Sequence, residues 1–284
     1  MCMNNIIVAI DFSDCSINAF LHALSIAQHS HSDMTLIWVQ KAAGHSDKFG
    51  VQTKDETKKV EKEFEEMIKK YQPELPGHTI GYKIRTGKVF SEIAAEAKES
   101  KSLLVVCGTH GASGFEKLWI GSNANRIVSA CACPVITIRG GIKIKRPLKK
   151  IVMSIDSTQE TRQKASFTAM LAKACDAEIY IIKLYSTKTK SVRQNVDLFA
   201  SQVERFFAQE GVKFNTVAEE TEDVPGSIIN HGKKVDANLI SIMTEQESTT
   251  STLWLGPYAQ QIVNHSPIPV LSVQSRDVYT GLGF

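Results

Sequence analysis

A loop in the first half of the chain has residue types and spacing suited to binding phosphate groups. Beyond the apolar residues 103–107, its small residues are Gly108, Gly111, Gly121 and Ser122, in the pattern G-x2-G-x9-G-S. Glycines after a buried strand let the backbone approach an anion closely, because no Cβ atom intervenes. A Gly-Ser pair that opens a helix adds free N–H groups, a partial positive charge and a hydroxyl. The sequence therefore predicts a cradle for phosphates.

Catalytic groups are harder to recognise in this loop. His110 could act as a general base, but a lone loop histidine without a triad partner is more often incidental, and Gly114 could be only a turn glycine. The chain has no GxxxxGK[ST] segment with its phosphate-grasping lysine. No paired carboxylates or Ser/His/Asp set is recognisable either, so we expect weak or absent catalysis. Slow hydrolysis stays open, because a bound Mg²⁺ could polarise the phosphates.

The elements that must position this loop occur twice, because the chain repeats itself. Residues 6–16 resemble residues 151–161, with an aspartate at the same place in each. Residues 118–138 resemble residues 253–273 and share Leu-Trp-(Ile/Leu)-Gly and Pro-Val at the same spacing. Self-similarity of this kind indicates duplication. We interpret the chain as two copies of one domain, the second shorter in its middle.

The duplication suggests the domain boundaries. The first domain is predicted to span residues 1–141, and the second to span residues 149–277. Residues 142–148 form the predicted linker, because they carry Lys and Pro and lack helical or strand periodicity. Each half then has the size of an ordinary single domain.

Short apolar segments alternate with helical patterns in each half. Strands of the first half are predicted at residues 6–10, 34–39, 103–107 and 135–138. Strands that are apolar throughout are typical of parallel sheets covered by helices on both faces. Ser13 is predicted to cap the helix after the first strand. Ligands of such sheets bind beyond the carboxyl ends of the strands, near the point where the strand order reverses.

The loop pattern resembles the nucleotide-binding signature of the universal stress protein family, G-2x-G-9x-G-(S/T). The opening residues VAID and the closing residues CPVITI agree, and the resemblance covers both halves. It implies an α/β fold of two tandem doubly wound domains, each a five-stranded, mostly parallel sheet flanked by helices. This architecture is Rossmann-like and similar to the adenine-nucleotide alpha hydrolases. The implied ligand is ATP or ADP, with or without Mg²⁺.

The resemblance also implies a set of site residues in the first domain. In this sequence they are Ala9, Asp11, Val39, Cys107, Gly108, Gly111, Gly121, Ser122 and Asn123. Ala9 and Asp11 would border the base and ribose, and Val39 would meet the adenine edge through its backbone. Cys107 and Gly108 would lie under the ribose and phosphates. The remaining four residues, Gly111 and Gly121–Asn123, would surround the phosphates. Alternatively, Asp11 could merely cap the first helix, while Val39 and Cys107 are core residues with or without a ligand.

The second copy departs from the signature. At the positions that align with Gly108, Gly111 and Ser122, it has Met243, Gln246 and Pro257. Side chains there occupy places where backbone must approach phosphate, although proline is tolerated in the first turn of a helix. We therefore expect a decayed second site and one nucleotide per chain, held by the first domain. A reshaped pocket for another ligand in the second domain stays open.

Composition argues against several other classes of protein. The net charge of +3 is too mild to predict a nucleic-acid-binding surface. No apolar segment reaches the ~18 residues of a membrane span, and the N-terminus shows no secretory signal, so we expect a cytoplasmic location. The six cysteines form no CxxC pair, so buried reduced thiols are expected rather than metal or redox chemistry.

The two domains are expected to pair within one chain. Family members commonly dimerise through the last strand, here residues 135–138 and 270–273, and an edge strand is a pairing surface. A covalent tandem raises the effective concentration of the second half, which favours an intramolecular pseudo-dimer. A homodimer and an unidentified protein partner stay open.

Three functions are compatible with these features. The first is a stress-response regulatory protein in which bound ATP or ADP tunes contacts with a partner. The second is an enzyme, as a slow ATPase or a self-phosphorylating protein. The third is a nucleotide-free scaffold that acts through protein contacts alone.

Overall fold

The computed structural model describes residues 5–40, 52–109, 122–141, 147–244 and 255–275. The strands of the first half are β1 (Asn5–Ala9), β2 (Asp33–Gln40), β3 (Ile80–Thr86), β4 (Leu104–Gly108) and β5 (Val135–Ile138). Its helices are α1 (Asp14–Ser30), α2 (Gln52–Tyr71), α3 (Val89–Glu99) and α4 (Ser122–Ala130).

The second half repeats this order of elements. Its strands are β6 (Lys150–Ile155), β7 (Glu178–Tyr185), β8 (Phe214–Glu220), β9 (Leu239–Thr244) and β10 (Val270–Gln274). Its helices are α5 (Lys164–Cys175), α6 (Lys190–Gln209), α7 (Val224–Lys234) and α8 (Pro257–His265).

A single sheet runs through both halves. Over the described segments, its strand order is β3-β2-β1-β4-β5-β10-β9-β6-β7-β8. Strands within each half pair in parallel, and the register repeats: Val8 lies opposite Val106, and its counterpart Met153 lies opposite Ser241. The duplication and the predicted pair of tandem doubly wound domains are therefore confirmed.

The two halves join at their final strands. β5 and β10 pair with each other, as the sequence predicted, so the halves form an intramolecular pseudo-dimer; the two strands run antiparallel. Gln274 Nε2 donates to the carbonyls of Val128 and Ser129 at the end of α4, both at 2.9 Å. In the mirrored position, Arg139 Nη1 donates to the carbonyl of His265 at the end of α8, at 3.5 Å. Each half thus caps a helix of the other half.

Helices cover both faces of the sheet. One layer consists of α1, α2, α5 and α6, whose apolar stripes bury Phe20, Phe64 and Phe207 completely. The other layer consists of α3, α4, α7 and α8, with Ile93 and Ile228 in its core. None of the helices in the described segments combines the length and the hydropathy needed to cross a bilayer.

Candidate functional site

The strand order creates a crevice at the carboxyl ends of β1 and β4. β1 lies between β2 and β4, so the chain runs outward on one side of β1 and returns on the other. Ligands of parallel sheets bind at such reversals. Val8 lies opposite Val106, so Ala9 and Cys107, one position further along, flank the same point of this edge.

β2 extends past β1 at this edge. The last contact between them is the bond from the Ile10 N–H to the Ile37 carbonyl, at 2.8 Å. In a parallel strand, residues two apart direct their backbone N–H and C=O groups to the same neighbouring strand. Val39 follows Ile37 by two residues, so its backbone groups point toward the β1 side of β2, at a level where β1 has already ended. Gln40 faces the other way, because its carbonyl accepts the Gly87 N–H at 2.9 Å. The backbone of Val39 therefore points into the crevice, and its side chain is half-buried.

Asp11 lies exposed at the mouth of the crevice and organises the turn into α1. Its Oδ1 accepts the N–H of Ser13 at 3.1 Å and the hydroxyl of Ser13 at 2.5 Å. Ser13, not Asp11, is the cap of α1, because its hydroxyl accepts the Ser16 N–H at 3.3 Å. The alternative that Asp11 itself caps the helix is thus replaced by an indirect role, in which Asp11 orients the capping serine.

The same turn is built in the second half. Asp156 Oδ1 accepts the N–H of Thr158 at 2.8 Å and its hydroxyl at 2.5 Å. The Asp156 N–H donates to the hydroxyl of Thr161 at 3.2 Å, just as the Asp11 N–H donates to Ser16. Both copies therefore form the same turn before their first helix.

Gly108, the last residue of β4, lies against the first turn of α1. A Cβ atom on Gly108 would come 2.7 Å from the Cys15 sulfur and 3.1 Å from the Cys15 carbonyl carbon. Packing alone therefore requires glycine here. Sequence reasoning attributed this glycine to phosphate approach, because the contact with α1 joins residues far apart in the chain.

The Cys107 thiol is not a nucleophile in this environment. Its side chain is 1% exposed. Burial, assisted by the neighbouring Cys15 thiol, raises the pKa of Cys107 to about 12. A thiol that stays protonated at neutral pH can line a ligand site but does not attack a substrate.

The amino end of α4 supplies the remaining described part of the predicted site. α4 begins at Ser122, and Asn123 in its first turn is exposed. The predicted residues Gly111 and Gly121, together with His110 and Gly114, lie outside the described residues. The structure thus brings Ala9, Val39 and Cys107 to one edge of the sheet, with Asp11 and Gly108 beside them.

The second half has a cavity at the corresponding edge. Its volume is about 200 Å³, and its lining includes Asp156, Met243 and Tyr258. These residues align with Asp11, Gly108 and Asn123, so the cavity occupies the counterpart of the predicted nucleotide site.

Sequence reasoning missed two polar residues that line this cavity. Ser154 and Glu160 align with Ala9 and Cys15 of the first half. Both replacements fall within the aligned residues 6–16 and 151–161, so the repeat itself shows them. Their closeness to the cavity, however, required the structure.

Comparison with known proteins agrees with the duplicated architecture. The family model "Universal stress protein family" matches residues 3–139 and again residues 147–274. A universal stress protein of Methanocaldococcus jannaschii is 28% identical over 142 residues, covering 47% of this chain and 81% of the relative. A universal stress protein of Bacillus subtilis is 27% identical over 149 residues, covering 48% of this chain and 99% of the relative.

A solved structure has the same two-domain fold. The crystal structure of a universal stress protein from Archaeoglobus fulgidus aligns with a TM-score of 0.78 and 17% identity, over 97% of this chain and 98% of the other. At this identity the likeness concerns the fold. With the two family matches and the repeated strand register, it leads to one conclusion: this chain is a tandem, two-domain member of the universal stress protein family.

Proposed function

We propose that this protein binds one adenine nucleotide, ATP or ADP, in its first domain and works as a stress-response regulator. The orientation of Val39 carries the proposal. Its backbone N–H and C=O face the crevice beyond the end of β1, where they can pair with the edge of a base. Backbone groups positioned this way recognise a flat heterocycle without the help of a side chain.

The residues around Val39 fit the rest of a nucleotide. The exposed Asp11 carboxylate can accept bonds from ribose hydroxyls, since charged acceptors form strong hydrogen bonds. The amino end of α4 has free N–H groups suited to phosphates. Gly111 and Gly121 would complete the cradle. A bound Mg²⁺ would screen the charge of the phosphates.

The proposed regulatory role follows from the chemistry that the site lacks. The described crevice offers a buried, protonated thiol and an aspartate already engaged with Ser13, neither of which suits acid–base catalysis. Bound nucleotide would instead change the surface that a protein partner meets in the cytoplasm. The partner is one that distinguishes the occupied from the empty first domain.

Titration calorimetry with ATP and ADP tests the proposal, together with analysis of nucleotide released from the purified protein by heat. We expect one site per chain. Ser122→Ala should weaken binding about ten- to a hundredfold, because a hydrogen bond to a charged group contributes roughly 1.5–3 kcal/mol. Gly111→Val should abolish binding, because its side chain would enter the phosphate path.

The second domain supplies the matched control. Gln246 aligns with Gly111, so Gln246→Ala should leave nucleotide affinity unchanged. Two equivalent sites would contradict the proposal. So would loss of binding in Gln246→Ala with Gly111→Val unaffected, since that result would place the nucleotide in the other half.

A further inference from the structure

The cavity of the second half has an apolar floor. Val224 and Ile228 of α7 and Ile262 of α8 line it, and each of these side chains is less than a tenth exposed. A concave apolar surface with a few converging polar groups is the usual form of a small-molecule site. The second half therefore keeps an open cavity at this place, whereas a collapsed site would have none.

A hydroxyl faces this cavity without a protein partner. Ser154 lines the cavity and is 5% exposed, and its hydroxyl makes no hydrogen bond to the described residues. Its oxygen is not among the fully buried atoms that lack a partner, so it is reachable from the cavity and can bond to a molecule held there. In the first half the aligned residue is Ala9, so the hydroxyl is not needed for the fold. A ligand that bonds to Ser154 explains why it is there.

The charge of this cavity is opposite to that of a phosphate site. The carboxylates of Asp156 and Glu160 line it, whereas no lysine or arginine is part of its described lining. Lys164 lies close enough to Asp156 to interact electrostatically. Its buried ammonium, which donates to the Thr161 carbonyl at 2.7 Å and to the Thr161 hydroxyl at 3.1 Å, offsets part of the negative charge of Asp156. Two carboxylates against one ammonium still leave a negative cavity, which would repel an anion and attract a cation.

The counterpart of Val39 is withdrawn from this cavity. Leu184 aligns with Val39, is only 2% exposed and does not line the cavity. The cavity is small, about 200 Å³, and its lining combines carboxylates and hydroxyls with aliphatic side chains. These features match a ligand with one cationic end and a short apolar body.

We propose that the second domain binds a small organic cation, a primary amine with an apolar body, in the cavity between β6, β9, α7 and α8. The ammonium group lies between Asp156 and Glu160 and bonds to the Ser154 hydroxyl. The apolar body packs on Val224 and Ile262. This function is separate from nucleotide binding by the first domain, so either one can fail without the other.

Titration of the full chain with tyramine and with pentylamine tests the inference. 4-Ethylphenol, which is tyramine without its amino group, and inorganic phosphate serve as matched probes. We expect one amine per chain and at least about tenfold weaker binding of 4-ethylphenol, because the charge supplies much of the affinity. ATP binding by the same sample reports separately on the first domain.

Variants identify the residues involved. Glu160→Gln and Asp156→Asn should each weaken amine binding about tenfold, and the asparagine can still accept the two bonds from Thr158. Ser154→Ala should weaken binding severalfold without harming the fold, because alanine occupies the aligned position in the first half. Glu222→Gln removes an exposed carboxylate that does not line the cavity, so it should change nothing.

Several outcomes would overturn the inference. A cation site would be excluded if neither tyramine nor pentylamine bound. It would also be excluded if phosphate or 4-ethylphenol bound as tightly as tyramine. Unchanged amine affinity in both Glu160→Gln and Asp156→Asn would place the amine elsewhere. A thermal melt of each variant shows whether a loss of binding reflects unfolding.

Discussion

Single residues in this protein meet structural demands that their motif does not reveal. Gly108 belongs to the phosphate-loop pattern, yet its missing side chain also makes room for Cys15. Lys164 has no counterpart in the first half, where the aligned residue is the buried Ala19. Both residues allow tests of stability that do not involve a ligand.

Gly108→Ala should destabilise the protein by about 1–3 kcal/mol, because an added methyl group in a packed interior forces its neighbours to shift. Chemical denaturation measures this loss. Adding Cys15→Ala should restore part of it, since the sulfur 2.7 Å from the new Cβ is then gone. Gly81→Ala is the matched control, because a Cβ there meets nothing within 4 Å. Equal stability of both single variants would contradict the packing role.

Lys164 should make stability rise with pH. Burial lowers the pKa of Lys164 to about 8 from 10.5, and Asp156 opposes part of this shift. Below pH 8 both states hold the proton, so the folded state bears the full cost of the buried charge. Between about pH 8 and 10.5 the unfolded state binds more protons, so the free energy of unfolding increases with pH.

Lys164→Met should remove that rise and stabilise the protein at pH 7 by on the order of 1–3 kcal/mol. Urea unfolding at a series of pH values compares wild type with the variant. The exposed Lys233 provides the control, because Lys233→Met should keep the pH dependence of the wild type. An unchanged slope in Lys164→Met would mean that this lysine is charged in the folded protein throughout the window.

At the scale of elements, the two copies differ where the first helix begins. α1 starts at Asp14, directly after its cap, whereas α5 starts at Lys164 after a short 3-10 turn at Gln159–Arg162. A glycine at the end of β4 lets the first turn of α1 approach the sheet. Met243 stands at that position in β9.

This difference predicts unequal effects of two matched substitutions. Ser13→Ala should cost about 1 kcal/mol of stability, because it removes the side-chain cap of α1. Thr158→Ala should cost less, because Thr158 precedes the 3-10 turn without forming a side-chain cap. Thermal and chemical unfolding of both variants give the comparison. A larger loss in Thr158→Ala would mean that capping does not stabilise α1.

At the scale of the whole molecule, one sheet carries two candidate ligand sites. The first half has the phosphate-loop sequence, and the second half has an acidic cavity at the corresponding place. The antiparallel join between β5 and β10 keeps both copies in one body.

The whole protein should turn over ATP slowly or not at all. With Mg²⁺ and saturating ATP, we expect release of phosphate well below the roughly 1 s⁻¹ of ordinary enzymes. His110→Ala should not alter the residual rate, since the sequence offers this histidine no recognisable triad partner. Sustained turnover at enzyme-like rates would contradict this expectation, and its loss in His110→Ala would identify the base.

Much of the architecture was determined by the sequence itself. The repeat, the apolar strands and the Ser13 cap are local patterns, and local patterns report secondary structure directly. The pairing of the final strands was also foreseeable, because an exposed strand edge in a tethered copy has an obvious partner. The spacing of the loop glycines by itself carried the family resemblance.

Only the tertiary structure decided what individual side chains meet. The contact of Gly108 with Cys15, the orientation of Val39 past the end of β1 and the burial of Lys164 all depend on elements distant in sequence. The cavity lined by Ser154 and Glu160 is of the same kind. Through-space packing has no periodic signal along the chain, because it arises from the pairing of strands and helices that different segments supply.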